Sequence, residues 1–259
     1  VMYSDHVGKD FNYYVKADVW TAKNKILYMS EEIKAENNSH LYKTGHRIDQ
    51  PYYLEALGYY TQADIDNPDV AKPTWKDVLP GDLKYKDWNG DGVIDNNDSY
   101  PFGYTETPEI TLGLNLGFTY KNFDFSAFFH AALNRTVYLD ASYYKAFQNN
   151  GPISEYALGR WTSEETAHMA TYPRLTLTNE QNNYRTSTFW MCNGNFLKLR
   201  DVELGYSFKN IIPAAKADLR IFVNGTNLFA IDAVKGYDSE RIGGYPAVRT
   251  ISLGANIQF

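Results

Sequence analysis

The chain has 259 residues and a formal net charge of −6, which argues against a nucleic-acid partner, because nucleic acid binds basic surfaces. Its one cysteine, Cys192, excludes an intrachain disulfide. The sequence contains no run of about 18 apolar residues, which a transmembrane helix requires. Its first residues do not resemble a signal peptide. The 22 Tyr, 14 Phe and 5 Trp favour places where an apolar ring meets water at one end, such as membrane interfaces and sugar-binding surfaces.

Six segments predict β-strands, and the clearest of them is 110–120. There Leu112, Leu114, Leu116, Phe118 and Tyr120 alternate with small or polar residues, so that one face is apolar and the other polar. Such a strand lies between two different media. In chain order the segments are 11–28, 110–120, 123–133, 195–208, 218–230 and 248–259.

The connections between these segments are very unequal in length. The turns at 121–122 and 209–217 are short, whereas 29–109, 134–194 and 231–247 have roughly 80, 60 and 17 residues, against a usual median of about 4–6. If the strands alternate in direction, the long connections share one end of the sheet and the short turns the other, which is typical of outer-membrane barrels. A soluble β-sandwich also alternates, but its turns recur about every 8–12 residues.

Six strands are too few to close a barrel, because the smallest barrels use about eight. An open sheet in lipid would leave unpaired backbone groups along both edges. We therefore expect further strands to precede residue 11 in the native molecule.

The sharpest local motif is DWNGDGVIDNND, at 87–98. Its spacing matches a calcium-binding loop in which oxygen atoms surround one point, and Gly92 stands where such a loop turns sharply. The expected ligands are the side chains of Asp87, Asn89, Asp91, Asp95 and Asp98 and the backbone carbonyl of Val93. A metal-free turn is the alternative, because Asn, Asp and Gly favour turns anyway. The flanks do not predict the helices of an EF-hand, so we expect a structural Ca²⁺ in a loop.

No catalytic motif is recognisable, and we expect that the chain is not an enzyme. The five histidines, His6, His40, His46, His130 and His168, lack zinc-site spacing, and no nucleophile elbow or phosphate-binding loop occurs. Aromatic residues in the long connections could stack on sugars or pack the loops, and packing is the better interpretation for each. They are Trp75, Trp88, Tyr138, Tyr143, Tyr144, Trp161 and Trp190.

Several blocks, in order, resemble the C-terminal barrel portion of the SusC/RagA family of TonB-linked (TonB-dependent) outer-membrane transporters. GDLKYKDWNGDGVID is similar to the family's segment before a late barrel strand, and FTYKNFDFSAFFHAALNRTVY to the next strand pair. The stretch from 173 to 208 and the last two blocks, LRIFVNGTNLFAIDAVKGYDSE and YPAVRTISLGANIQF, resemble the strands that end the barrel.

The resemblance implies an all-β fold: 1–259 form the C-terminal strands of a large antiparallel transmembrane β-barrel with long extracellular loops. The calcium-like segment 87–98 is then an insertion in one extracellular loop. The plug domain, the earlier strands and the segment that contacts TonB lie outside this chain. The family imports oligosaccharides or peptides across the outer membrane of Gram-negative bacteria, with a SusD-like surface lipoprotein as partner and lipid around the barrel.

Two other functions remain as alternatives. A calcium-stabilised extracellular glycan-binding module is the first, although a dockerin-like domain would carry two tandem calcium loops and only one is present. A glycoside hydrolase fragment is the second, supported only by the aromatic content.

The alternation also predicts which side chains face lipid and how the last strand pairs. We expect 248–259 to pair with 218–230 and, at its other edge, with the first strand of the full protein. In this chain alone, the outer edges of 248–259 and 11–28 should be unpaired. The residues expected to face lipid are Leu112, Leu114, Leu116, Phe118, Leu219, Ile221, Val223, Ile251, Leu253 and Ile257.

Overall fold

The computed structural model describes residues 1–140, 142–177, 182–213, 216–241 and 244–259. Its strands are β1 (Met2–Val7), β2 (Phe11–Thr21), β3 (Tyr52–Leu54), β4 (Ala56–Tyr59), β5 (Lys72–Pro73), β6 (Leu83–Tyr85), β7 (Val93–Ile94), β8 (Ser99–Pro101), β9 (Ile110–Tyr120), β10 (Phe123–Leu133), β11 (Thr136–Tyr138), β12 (Met191–Asn193), β13 (Phe196–Ile212), β14 (Ala217–Asp232) and β15 (Thr250–Gln258). The described helices are α1 (Gln62–Asp66) and the 3-10 turns Glu36–Leu41, Asn96–Asp98, Gln148–Asn150, Glu155–Gly159, Ala167–Met169 and Thr188–Trp190. No helix among the described residues is long and apolar enough to cross a membrane.

The chain divides into two compact units, which we call the sheet unit and the loop unit. The sheet unit comprises Val1–Ala22, Thr107–Arg135 and Asn193–Phe259, and the loop unit comprises Lys23–Glu106 and Thr136–Cys192. The loop unit is thus built from the two longest connections, which fold together around a core of their own.

The sheet unit is one seven-stranded antiparallel sheet in the order β1-β2-β9-β10-β13-β14-β15. The predicted strands 110–120 and 123–133 agree with β9 and β10 at both ends. Strands β13 and β14 are longer than predicted, and β1 was not predicted at all. Among the described residues β15 pairs with β14 only, as expected for the last strand.

Two expectations about the first predicted strand are wrong. It ends at Thr21 instead of residue 28, because its partner β9 begins only at Ile110. Pro108 precedes that start and has no N–H with which to continue the ladder. Its outer edge is also not free, because β1 pairs with it over six residues, from Met2↔Lys16 to Val7↔Phe11.

The register confirms that the long connections leave one end of the sheet and the short turns the other. The end of β2, the start of β9 and the end of β10 lie level with one another, because Thr21 and Leu133 both pair with Ile110. The start of β13 lies at the same end, because Phe196 pairs with Ala132. Asp232, where the third long connection begins, also pairs with Phe196.

The same register divides the side chains of the sheet into an apolar and a polar face. The polar face carries Asn12, Tyr14, Lys16 and Asp18 of β2 and their partners Thr119, Gly117, Asn115 and Gly113 of β9, and it continues through Asp124, Glu203, Arg220, Asn224 and Ser252. All ten residues predicted to face lipid lie together on the opposite, apolar face. A Cβ at Gly117 would lie 2.3 Å from the Tyr14 ring, so glycine is required there for Tyr14 to cross the polar face.

Aromatic side chains gather on the apolar face at its short-turn end. One row runs Phe11, Tyr120, Phe123 and Tyr206 across four adjacent strands. Within this row the ring centroids of Phe123 and Tyr206 are 4.7 Å apart, and Tyr206 also packs at 4.7 Å against Phe208 of its own strand. A band of aromatic residues at one level is the pattern that outer-membrane barrels place at a membrane–water interface.

Candidate functional site

The calcium-like segment forms a closed loop in the loop unit, between the short strands β6 and β8. The two carboxylate oxygens of Asp87 accept the N–H groups of Gly90, at 2.7 Å, and Gly92, at 2.9 Å. Asp91 accepts the Val93 N–H at 3.0 Å. Gly90 and Gly92 have φ of 72° and 83°, which makes the sharp turn possible. The first half of the motif is therefore organised around its acidic side chains.

The second half of the loop is closed by Asp95 and Asp98. Asp95 caps the short helix Asn96–Asp98 by accepting the Asn97 N–H, at 2.6 Å. Asp98 is fully buried and accepts the Trp88 N–H and the Asp95 N–H, both at 2.8 Å. Burial, and to a smaller extent the charge of Asp87, raises the pKa of Asp98 above its usual range.

The loop is held from outside by its neighbours. The Trp88 ring lies between the Lys86 ammonium, 3.5 Å from the ring centre, and the Tyr100 ring, stacked at 4.0 Å between centroids. The His40 Nε2 lies 2.7 Å from the Asn97 carbonyl oxygen, and the ring of His40 stacks on Tyr100. Both faces of Trp88 are covered, so its ring packs the loop and leaves no face open to a sugar.

Within the described residues, no three His, Cys, Asp or Glu side chains are placed to share one metal ion. The expected ligand residues Asp87, Asn89, Asp91, Val93, Asp95 and Asp98 do form one loop, but their carboxylates are turned to N–H groups of that loop. A carboxylate oxygen has a second lone pair, so these contacts are compatible with an added cation. The calcium site stays a prediction.

Other aromatic residues of the loop unit also pack inward. Trp190 and Tyr144 are 0% exposed, and the Trp75 ring is covered by the Arg185 guanidinium 4.2 Å from its centre. Beside them lies a buried polar network: Asn183 donates to Asp82 and accepts the Leu83 N–H, both at 2.8 Å. This network joins the two segments that build the loop unit.

On the polar face of the sheet unit, three charged side chains from three strands form one ion-pair group. Arg220 of β14 donates through Nε to Asp124 of β10, at 3.0 Å, and its Nη2 contacts both Asp124 and Glu203 of β13, the latter at 2.6 Å. Gly205 lies beneath them, and a Cβ there would be 2.5 Å from both Arg220 and Asp124. A fork of two hydrogen bonds fixes the guanidinium firmly.

A second ion-pair group, within the sheet unit, fastens the loop between β14 and β15 to strand β13. Lys198 contacts the carboxylates of Asp238 and Glu240, and Arg200 contacts Glu240. Arg135 donates to the Ser239 carbonyl oxygen at 2.8 Å. Burial alone would raise the pKa of Asp238, but the hydrogen bonds from the Lys198 ammonium and from two backbone N–H groups hold it below its usual range.

Neither ion-pair group was predicted from the sequence. A signal was present, because the alternation puts Lys198, Glu203 and Arg220 on the polar faces of their strands. Their partners could not be named without the register, since Asp124 and Arg220 are 96 residues apart.

Comparisons with known proteins agree with this architecture, although no family model matches the chain. The TonB-dependent receptor SusC of Bacteroides thetaiotaomicron is 29% identical over 261 residues, covering 97% of this chain and 22% of that protein. The TonB-dependent receptor P3 of Formosa agariphila is 25% identical over 252 residues, covering 86% of this chain and 23% of that protein. The chain thus spans about a quarter of the length of these curated relatives.

Solved structures agree with the fold. The RagAB peptide importer in an open-open state matches with a TM-score of 0.68 and 17% identity over 100% of this chain and 28% of that one. Its closed-closed state matches with a TM-score of 0.66 and 19% identity over 97% of this chain. The matches confirm the all-β fold of a partial antiparallel barrel. All these proteins are described as receptors or importers, which is compatible with the expectation that the chain is not an enzyme.

Proposed function

We propose that this chain is the C-terminal barrel segment of a SusC/RagA-type TonB-dependent receptor in the outer membrane of a Gram-negative bacterium. On that premise, it forms part of the wall of a transporter that imports oligosaccharides or peptides. The observation that carries the proposal is the two-faced sheet, apolar on one side and charged on the other, with every long connection at one end. That arrangement suits a wall between lipid and an aqueous interior.

The two faces then have different tasks. The apolar face contacts outer-membrane lipid, with the aromatic row Phe11–Tyr120–Phe123–Tyr206 at the interface on the periplasmic side. The polar face lines the interior, where the group Asp124–Glu203–Arg220 keeps three strands in register and offers charge to whatever passes or plugs the barrel. The end of the sheet from which the long connections leave is then the extracellular end.

The partners follow from the likeness to SusC and RagAB. A SusD-like surface lipoprotein would work with the extracellular loops, and the TonB complex would act through the N-terminal part of the transporter, which this chain does not contain. The test is uptake by cells that carry the complete transporter, with and without a functional TonB. Loss of oligomer uptake without TonB supports the proposal, and equal uptake in both strains would contradict it.

We also propose that 87–98 binds one structural Ca²⁺ through Asp87, Asn89, Asp91, the Val93 carbonyl, Asp95 and Asp98. The support is the spacing of the oxygens and the second lone pairs left on the carboxylates. The ion would stiffen an extracellular loop and take no part in transport chemistry.

Terbium(III) luminescence tests this site, because Trp88 stands inside the loop and can transfer excitation to a bound lanthanide. We expect a luminescence signal that Ca²⁺ displaces and that the double variant Asp87→Ala/Asp91→Ala abolishes. Asp69→Ala, which removes an acidic residue elsewhere in the loop unit, is the control and should keep the signal. A signal of equal size in the double variant would contradict the proposed ligands.

A further inference from the structure

A pocket of about 310 Å³ lies in the sheet unit between the β14–β15 loop and the end of the β13–β14 pair. It is at the lower end of the range for small-molecule sites, about 300–1,000 Å³, so it has room for one residue of an oligomer. Its polar lining consists of Lys198, Asn227, Asp232, Tyr237, Asp238 and Arg249.

The outer wall of this pocket is fixed before any ligand arrives. Lys198 is 5% exposed and Ser239 0%, so the Lys198–Asp238 contact and the Arg135–Ser239 hydrogen bond are buried. Asp238 also accepts the Ala247 N–H from the far side of the same loop, at 3.1 Å. A wall held at several points does not have to be ordered on binding, which favours affinity.

The charges of the lining balance, because two cations, Lys198 and Arg249, stand against two carboxylates, Asp232 and Asp238. Lys198 and Asp238 are occupied with each other. Arg249 is exposed and has no hydrogen-bond or ion-pair partner among the described residues. The Asp232 carboxylate accepts a hydrogen bond from the Val234 N–H, at 3.1 Å. The pocket therefore offers one free planar donor and one nearly free planar acceptor.

We propose that this pocket binds one neutral sugar residue of the transported oligomer, which rests on the proposed import function and narrows its substrate to an oligosaccharide. Guanidinium and carboxylate groups each form two parallel hydrogen bonds, and pairs of neighbouring hydroxyl groups on a sugar ring match that geometry. Ala230, Pro246 and Ala247 supply apolar surface for the C–H side of the ring. A ligand with a net charge would be attracted by one of these two free groups and repelled by the other, so the pair favours a neutral ligand.

The experiment measures binding to the complete transporter in nanodiscs by calorimetry. The probes are maltohexaose, cellohexaose, mannohexaose and xylohexaose, with a hexagalacturonate and an uncharged octapeptide as comparison ligands. We expect at least one neutral hexasaccharide to bind, and Arg249→Ala and Asp232→Asn each to weaken that binding at least tenfold, as expected for losing a hydrogen bond to a charged group.

Arg241→Ala is the matched control, because Arg241 is an exposed arginine of the same loop that does not line the pocket. It should bind like the wild type, and unchanged heat-modified migration on gels would show that all variants are folded barrels. Unaltered hexasaccharide affinity in both pocket variants, or binding of only the galacturonate or the peptide, overturns the inference and leaves TonB-dependent import standing. Binding of no probe overturns the inference too, and absence of any TonB-dependent uptake would remove the proposed function with it.

Discussion

An arginine introduced on the apolar face of β14 should destabilise the barrel much more than one introduced on the polar face. Val223 is on the apolar face, 47% exposed, and its partners Leu204 and Leu253 are 50% and 76% exposed. Asn224, the next residue, is on the polar face and pairs with Glu203 and Ser252. The two positions share strand, depth and backbone pairing, so that only the medium that their side chains enter differs.

In the complete barrel, Val223→Arg brings a guanidinium into hydrocarbon and should cost about 2–4 kcal/mol at mid-depth. Asn224→Arg keeps its charge in the aqueous interior beside the Glu203 carboxylate and should change stability by less than about 0.5 kcal/mol. A difference of 2 kcal/mol changes the folded-to-unfolded ratio roughly thirtyfold.

Equilibrium unfolding by urea in phosphocholine vesicles, followed by tryptophan fluorescence, measures both values. Equal destabilisation by the two variants, or a larger cost for Asn224→Arg, would show that our assignment of the faces is wrong.

Three further predictions concern the strand end, the loop core and pH. Deleting Phe259, which is 82% exposed, should lower the amount of barrel assembled in the membrane far more than the stability of assembled barrels, and unchanged surface levels would disprove a role in assembly. Asn183→Ala should destabilise the loop unit by about 2–4 kcal/mol, because the Asp82 carboxylate and the Leu83 N–H each lose a buried partner. Limited trypsin digestion of intact cells should then cleave the loop unit of the variant faster than that of the wild type. Hydrogen bonds from the Lys43 N–H and from the hydroxyl and N–H of Thr44 lower the pKa of Glu31 from 4.5 to about 2. The ionised Glu31 carboxylate therefore stabilises this turn above pH 4.5, and the turn should open as the pH falls toward 2. Amide exchange of Thr44 reports this opening, and a flat pH profile would contradict it.

The sheet could be predicted largely from local patterns. The boundaries of β9 and β10 followed from the clean alternation of 110–120, from the apolar face of 123–133 and from a two-residue turn, in which Lys121 takes a φ of 54°. Strand β1 was missed because MYSDHV puts Asp5 on the apolar side and carries only a weak alternation. Its pairing with β2, a tertiary interaction, decides its conformation.

The candidate sites differ in the same way. The 87–98 loop was visible because its acidic residues are adjacent in sequence and organise their own backbone. The groups around Arg220 and Lys198 were not, because their partners come from separate strands and from a loop about 40 residues away. The folding of the two longest connections into one unit likewise depends on contacts, such as Asn183 with Asp82, that span 101 residues.

The most direct test of the central claim is to ask which face of the sheet touches lipid. Single tryptophans at Leu253 and Ser252, neighbours on opposite faces of β15, would be measured in the complete barrel in vesicles of brominated phospholipid, with the native tryptophan background subtracted. We predict strong quenching by the brominated chains at 253 and little at 252. Equal quenching at both positions, or stronger quenching at 252, would contradict the assignment of this sheet as the wall of an outer-membrane barrel.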